Sequence, residues 1–442
     1  MYFSNEDVLK AAHDGDVQFI RLQITDISGI MKNVAITVEE LEKALNGDIL
    51  FDGSSIDGNV RVEESDMYLK PDPETFVIYP WRTTSGLDAR LICDVDTADK
   101  KPFEGDPRFV LKKVLKEASD MGYTLRVSPE CEFFLFHTDE KGRPTTETHD
   151  NASYYDLAPV DLGENARRDM VIALKQMGFE VEASHHEISP GQHEIDLKSD
   201  DALNAADKIM TFKAIVRIIA QRHGLHATFM PKPVSDIAGS GLHISQALFR
   251  NEKNSFYDSS DKIGLSKDAY FYMGGILKHS KAITAITNPI VNSYKRLISG
   301  YDAPSYITWS ARNSSSLIKV PAKRGEDTVL ELRSPDSSCN PYLALAVILK
   351  SGLDGIKNHI SPPASIDRNV YEMDASDRIE NNVESLPDSL TSALSCLEQD
   401  ELVKDTLGKY IYSRFLEAKT IEWQEYIKVV SEWEIKNYLT KF

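Results

Sequence analysis

The run Ser128-Pro-Glu-Cys-Glu-Phe-Phe-Leu-Phe136 constrains the fold more than any other stretch of the chain. It reads as a strand, and side chains two apart in a strand share one face. Glu130 and Glu132 therefore project together from a face that continues into Phe134 and Phe136. Two carboxylates entering an apolar layer are costly unless they are paired or bound to a metal. By itself the pair fits equally a strand end that leaves its layer for solvent and a functional site.

The pattern recurs. Glu331 and Arg333 stand two apart in Val329-Leu-Glu-Leu-Arg-Ser334. Glu187 and Glu194 flank a Pro190-Gly191 turn, so a hairpin would bring them together. His243 follows Gly239-Ser-Gly-Leu242 at the start of another strand. Five carboxylates and one imidazole on strand edges beside glycine turns suit a hard cation, Mg²⁺ or Mn²⁺, with imidazole better tolerated by Mn²⁺. A zinc site would draw on cysteine or more histidine. Arg296, Arg312, Lys319, Lys323, Arg324 and Arg333 fall close together in the sequence. Guanidinium forks suit phosphate and carboxylate, although each cation alone reads as solvated surface. The chain has neither a Walker G-x-x-x-x-G-K-[ST] nor a dinucleotide G-x-G-x-x-G motif, so metals and arginines would have to hold the phosphates of any bound nucleotide.

The first hundred residues read as a small α+β unit: a helix over 1–14, strands over Val17–Ile24 and Ile30–Thr37 about an Asp26–Gly29 turn, a helix over Val38–Leu45, and strands over Thr75–Tyr79 and Ala89–Asp94. Lys100–Asp106 is a linker, and Asp106-Pro107 opens a helix that Gly122 stops. Beyond it come strands over Thr124–Phe136, Phe179–Ala183, His193–Lys198, Ala227–Met230, Leu242–Leu248 and Val329–Leu332. Helices are expected over Gly163–Met177, Asp201–Arg222, Lys267–Ile286, Pro341–Gly355 and from about Pro387 onward. The domains are expected at 1–103 and 104–442.

A length of 442 residues suits two or three domains, and a 41% hydrophobic share suits a real core. Fifty basic against 69 acidic residues give a net charge of −19 with no basic block, which argues against nucleic acid or an anionic bilayer as partner. The longest apolar block, near Tyr342–Leu349, is far short of the ~20 residues of a spanning helix, and no export signal opens the chain. Four scattered cysteines without a C-x-x-C pair make a reducing cytoplasm the expected compartment.

Phe51-Asp-Gly-Ser-Ser55 with Glu64–Leu69, Pro129–Phe134, Ala183–Glu187, Pro190–Ile195, Met230-Pro-Lys-Pro233, Gly239-Ser-Gly241 with His243, Asn288–Arg296, Trp309–Asn313 and Asn340–Leu343 together resemble, in order, the type I glutamine synthetases of the shorter alpha type. The resemblance implies a β-grasp-like N-terminal domain and a larger α+β catalytic domain with a curved antiparallel sheet flanked by helices. It implies two stacked hexameric rings, a dodecamer with active sites between subunits. One divalent cation would be held by Glu130, His243 and Glu331, and another by Glu132, Glu187 and Glu194. ATP would phosphorylate the γ-carboxylate of glutamate, and ammonia bound near Asp52 of a neighbouring subunit would displace the phosphate. Arg296, Arg333 and Gly239 match glutamate contacts, Glu182 and Lys319 match ATP contacts, Asp302 stands at the flap acid, and Arg61 matches a residue tied to feedback inhibition by glutamine. No adenylylation is expected at Tyr371.

Four positions depart from the family pattern. Ala238 stands for Asn, Ala247 for Ser, Asp302 for Glu and Ser314 for Arg, while Lys319 for Arg keeps the charge but loses the fork. They leave open an ordinary glutamine synthetase, a paralogous ligase for another acid or amine, and a weakly active or inactive regulatory homologue.

Overall fold

A computed structural model describes residues 3–57, 66–81, 86–298 and 303–442. The chain opens with α1 (Asn5–Asp14), whose first turn is closed by a reciprocal Ser4–Asp7 cap. Then follow β1 (Val17–Thr25), β2 (Met31–Thr37), α2 (Leu41–Leu45), β3 (Ile49–Asp52), β4 (Asp66–Pro71), β5 (Val77–Ile78) and β6 (Leu87–Asp96). These six strands form one sheet in the order β2-β1-β6-β4-β3, with β5 against β6. The β1–β2 hairpin turns at Asp26–Gly29 as expected. Strands β3 and β4 were not anticipated, and the strand expected over Thr75–Tyr79 shrinks to Val77–Ile78 because Asp72-Pro73 starts a single 3-10 turn.

The second sheet follows α3 (Pro107–Asp120), which Asp106 caps by accepting from the Arg108 amide. Its elements are β7 (Thr124–Thr138), β8 (Pro144–Thr148), α4 (Glu164–Gln176), β9 (Val181–His186), β10 (Gln192–Leu197), β11 (Asp200–Asp201), α5 (Ala202–Arg222), β12 (Leu225–Thr228), β13 (Leu242–Arg250), β14 (Lys253–Asn254), α6 (Lys267–Thr287), α7 (Ser293–Arg296), β15 (Tyr306–Ile307), β16 (Trp309–Ser310), β17 (Ile318–Lys319), β18 (Leu330–Leu332) and α8 (Pro341–Asn358). The backbone of this sheet runs β16-β17-β18-β13-β7-β10-β9, and β8, β11 and β12 also pair with β7. All these pairings are antiparallel except β16 with β17. The C-terminal helices lie over Leu390–Gln399, Glu401–Tyr426 and Glu432–Tyr438. Among the described residues no helix is long and apolar enough to cross a membrane. The architecture is α+β.

Two polar junctions lock the sheets together. Arg108 is buried and donates to Asp94 at 2.7 Å, to Asp72 at 2.7 Å and through both nitrogens of its fork to Asp207 of α5 at 2.9 and 3.0 Å. Asp207 also accepts from the buried Tyr342 hydroxyl at 2.6 Å. At the second junction Asn340, the cap of α8, donates to the Asp26 carbonyl at 2.9 Å. Gly29 makes this approach possible: its φ is +80°, and a Cβ there would sit 3.0 Å from Asn340 Cα.

Candidate active site

Strand register assembles the site. In the β7–β13 ladder Glu130 lies opposite His243, and in the β7–β10 ladder Glu132 lies opposite Glu194. Glu331 lies opposite Ser245, two residues along from His243, so it shares that face from β18. The β9–β10 hairpin pairs His185 with Glu194 and places Glu187 at its turn, where the Glu187 amide donates to the Gln192 carbonyl at 2.8 Å. Gly191 permits this turn with φ +67°. A Cβ at Gly191 would lie 2.9 Å from the Leu135 carbonyl oxygen.

Two groups of prospective ligands result on this face, each with its donor atoms within 4.8 Å of one another: Glu130, His243 and Glu331, and His185, Glu187 and Glu194; a third group of that kind, Asp150, Asp161, His186 and His193, is buried, with Asp161 paired to Arg167 at 2.8 Å and Asp150 to His186 at 3.1 Å. The first is the expected set. In the second, His185 joins Glu187 at 3.4 Å, and Glu132, outside the 4.8 Å group, faces Glu194 across the ladder. One Glu132 oxygen accepts from the Gly241 amide at 2.7 Å and from Gln192 at 3.1 Å, and the other lies 3.8 Å from His243 Nε2. Since His243 Nδ1 is 3.3 Å from Glu130 and 4.0 Å from Glu331, its ring lies between the first group and Glu132.

The electrostatics are those of a concentrated negative site. Burial, reinforced by Glu331, raises the Glu130 carboxyl to about 7. Burial and the facing Glu132 push Glu194 well above the ordinary carboxylate range. Burial also works to raise Glu331, but His243, Arg333 and Lys319 hold it below its usual value. Arg333 Nη1 and Lys319 Nζ reach its two oxygens at 2.5 and 3.1 Å. His243 is lowered to about 4 by burial and by Arg333, so its imidazole is neutral and available as a donor at pH 7. Crowded carboxylates that resist ionising together, with one neutral imidazole, fit hard divalent cations.

The remaining expected residues surround these groups. Arg296 is buried and donates to the carbonyls of Ser334, Arg333 and Pro335 at 2.7, 3.1 and 3.2 Å. Gly239 and Gly241 bring the backbone against it. Cβ atoms there would lie 3.3 Å from Arg296 Cγ and 2.4 Å from its Nη2, respectively. Glu182 is exposed and accepts from Lys323 at 3.2 Å. It lines a cavity of about 880 Å³ together with Glu130, Asp196, Ser245, Ala247 and Lys323. Two of the clustered basic residues do not contribute here. Arg324 donates to the Ile263 carbonyl at 2.6 Å, and Arg312 is exposed with Asp367 at 3.7 Å. Asp52 ends β3 in the first sheet, exposed, with its carboxylate accepting from the Ser54 amide at 2.9 Å, and it joins neither group. Asp302 and Arg61 lie outside the described residues.

His185 and Asp196 are additions to the expected set. Asp196 lies opposite Glu130 in the β7–β10 ladder, and burial raises its carboxyl. The signal was present: Asp196 follows Glu194 by two in an alternating strand, the spacing that singled out Glu130 and Glu132.

Both parts of the chain match one family of known proteins. Residues 16–98 match the family model described as glutamine synthetase, beta-Grasp domain, and residues 104–438 match glutamine synthetase, catalytic domain. The chain is 56% identical over 440 residues to the glutamine synthetase of Clostridium saccharobutylicum, covering 100% of this chain and 99% of that protein. It is 52% identical over 441 residues to that of Staphylococcus aureus, with the same coverage. A solved GmaS/ADP complex superimposes with a TM-score of 0.89 at 31% identity over 98% of this chain and 99% of its own. Plasmodium falciparum glutamine synthetase shares the fold with a TM-score of 0.87 at 24% identity, covering 99% of each chain. Both domain families match in order and relatives are more than half identical from end to end: the chain belongs to the glutamine synthetase family.

Proposed function

We infer that this protein is a glutamine synthetase, an ATP-dependent ligase that forms glutamine from glutamate and ammonia through γ-glutamyl phosphate. The observation that carries the reading is the pair of ligand groups on one face of the second sheet, opening at Glu130 into the large cavity. Glu130, His243 and Glu331 would hold one Mg²⁺ or Mn²⁺, and Glu132, Glu187 and Glu194 a second, with His185 beside it. When bound, such ions offset the charge on the phosphoryl group in transfer.

The chain's own residues supply the rest. The cavity at Glu182 and Lys323 takes the nucleotide, with Lys319 at its phosphate end. Arg296 and Arg333 orient the carboxylates of glutamate beside the Gly239 backbone, converting an encounter into a positioned reaction. Asp52, supplied by a neighbouring subunit, attracts ammonium and accepts its proton, while Asp302 closes the site as a flap acid. Arg61 is assigned to feedback inhibition by glutamine. The assignments rest on the motif matches and on the contacts above. The proposed boundary at 103/104 falls between β6 and α3, and the proposed assembly is a cytoplasmic dodecamer of two hexameric rings.

The test is ADP and phosphate release by the purified protein with Mg²⁺ or Mn²⁺. Turnover that requires both glutamate and ammonium is expected. Turnover indifferent to glutamate would overturn the reading in favour of a ligase for another acid, and no turnover with any amine would overturn it in favour of a non-catalytic homologue.

A further inference from the structure

A second cavity, of about 560 Å³, lies where the β1–β2 turn meets α5, and its lining includes none of the proposed metal ligands and neither Arg296 nor Arg333. Met31, Met210, Phe229 and Ile290 form apolar walls, and among the described residues Lys213 and Arg217 are its only charged lining residues. They stand at i and i+4 of α5, so two like charges share one helix face.

Among the described residues neither cation has an acid. Lys213 is buried, and among the described residues its ammonium makes one hydrogen bond, to the Cys339 carbonyl at 3.1 Å, and no ion pair. An ammonium carries three donors and no acceptor. Burial and the nearby Arg217 pull its pKa down. The carboxylate of Asp336 is taken up by Asn288 at 2.9 Å and by the amide and hydroxyl of Ser338 at 2.9 and 2.5 Å. Arg217 is exposed, and its guanidinium lies 5.1 Å over the Phe229 ring. It makes no hydrogen bond or ion pair among the described residues. A stacked guanidinium is held in orientation while its fork stays available. Two cations of one sign, one of them buried, facing a mostly apolar chamber without a counter-ion among the described residues, define a site for an anion with an apolar body.

We propose that this cavity binds a small organic monocarboxylate, with the carboxylate between Lys213 and Arg217 and the apolar body against Met31, Met210 and Phe229. The site is separate from the ligase reaction and does not depend on its assignment.

Calorimetric titration of the full-length protein in its native assembly tests it, using hexanoate and phenylacetate against hexanamide and phenylacetamide, with and without saturating glutamate. The acids bind once per chain and the amides do not, because only the acids supply the missing charge. Glutamate leaves their affinity unchanged. Arg217→Gln, at an exposed position, weakens hexanoate binding about tenfold or more, the loss of one charge-assisted contact. Lys213→Met abolishes it. Four results would each overturn the proposal: no binding of either acid, equal binding of acid and amide, displacement by glutamate, or an Arg217→Gln protein that changes assembled size while binding hexanoate as before. The last would give Arg217 to a carboxylate of a second copy of the chain.

Discussion

Replacing Glu130 by Gln should stabilise the metal-free protein while disabling it. The Glu130 carboxyl titrates at about 7 instead of 4.5, because burial and the neighbouring Glu331 oppose its charge. A folded-state value above the unfolded one means that the native state holds a proton the unfolded chain has released between those pH values. Stability is therefore full below about pH 4.5 and is lost as pH rises through about 7. At about 1.4 kcal/mol per pH interval of displacement, the cost of the ionised form at pH 8 is at most about 3.5 kcal/mol. With the side chain 30% exposed, about 2 kcal/mol is the better figure. A glutamine of the same shape carries no charge and escapes that cost.

The assay is thermal unfolding of the wild type and Glu130→Gln in EDTA at pH 8 and pH 5, then with Mn²⁺ at pH 8. In EDTA at pH 8 the variant should melt several degrees higher. At pH 5 the gap should shrink to under about 1 kcal/mol, since Glu130 is then protonated in the folded state and only the unfolded chain has begun to ionise. Mn²⁺ should raise the wild type by mass action and raise the variant less, since only its second site is left intact, which narrows or reverses the gap between them. A variant less stable than the wild type in EDTA at pH 8 would refute the charge-crowding argument, and one stabilised as much by Mn²⁺ as the wild type would refute the assignment of Glu130 as a ligand.

Arg108→Met removes the cation shared by Asp72, Asp94 and Asp207 and should destabilise the protein by about 3–5 kcal/mol, read as a lower urea midpoint. Gly241→Ala drives a methyl to 2.4 Å from Arg296 Nη2, so KM for glutamate should rise by roughly ten- to a hundredfold in steady-state assays while Mn²⁺ binding is retained. Asp150 accepts from the Gly191 amide at 2.8 Å and from His186 at 3.1 Å, clamping the hairpin that carries Glu187 and Glu194; Asp150→Asn should weaken Mn²⁺ binding about tenfold or more in a spectroscopic titration, with an unchanged circular dichroism spectrum. Restoring the family side chains with Ser314→Arg and Ala238→Asn should lower KM for glutamate about tenfold, and an unchanged KM would show that these positions do not limit binding.

The period-2 spacing of charges made much of the site legible. It placed Glu130 with Glu132 on one face, and the Pro190-Gly191 turn anticipated the β9–β10 hairpin. What spacing cannot express is which strands become neighbours. His243 lies opposite Glu130 only because β13 pairs with β7, and Glu331 joins them only because β18 pairs with β13. The same blindness hid β3 and β4. Met67 and Leu69 do alternate inward, but Asp66, Lys70 and Pro71 weaken a local strand signal that pairing with β6 overrides. Lys213 was hidden for a related reason: a lysine in an amphipathic helix that also carries Lys208, Arg217 and Arg222 reads as a surface residue until the sheet junction closes over it.

Where the departures fall explains why they are compatible with an intact metal site. Each ligand strand is pinned on both sides by backbone pairing, so the relative places of Glu130, Glu132, Glu194, His243 and Glu331 follow from register and not from the side chains between them. Ala238 serves the hairpin through its carbonyl, which accepts from Ser189 Oγ at 3.2 Å whatever side chain stands there. Ala247 is a wall residue of the large cavity, facing Arg126 across the ladder, where a lost hydroxyl removes one contact without moving the strand. Ser314 is exposed in the loop between β16 and β17. All three can change binding without disturbing register, whereas a one-residue slip in β7 or β10 would turn the carboxylates away from their partners and end the chemistry outright. On the proposed assignments, the departures stand at positions free of the strand register, while the proposed ligand positions are tied to the sheet itself.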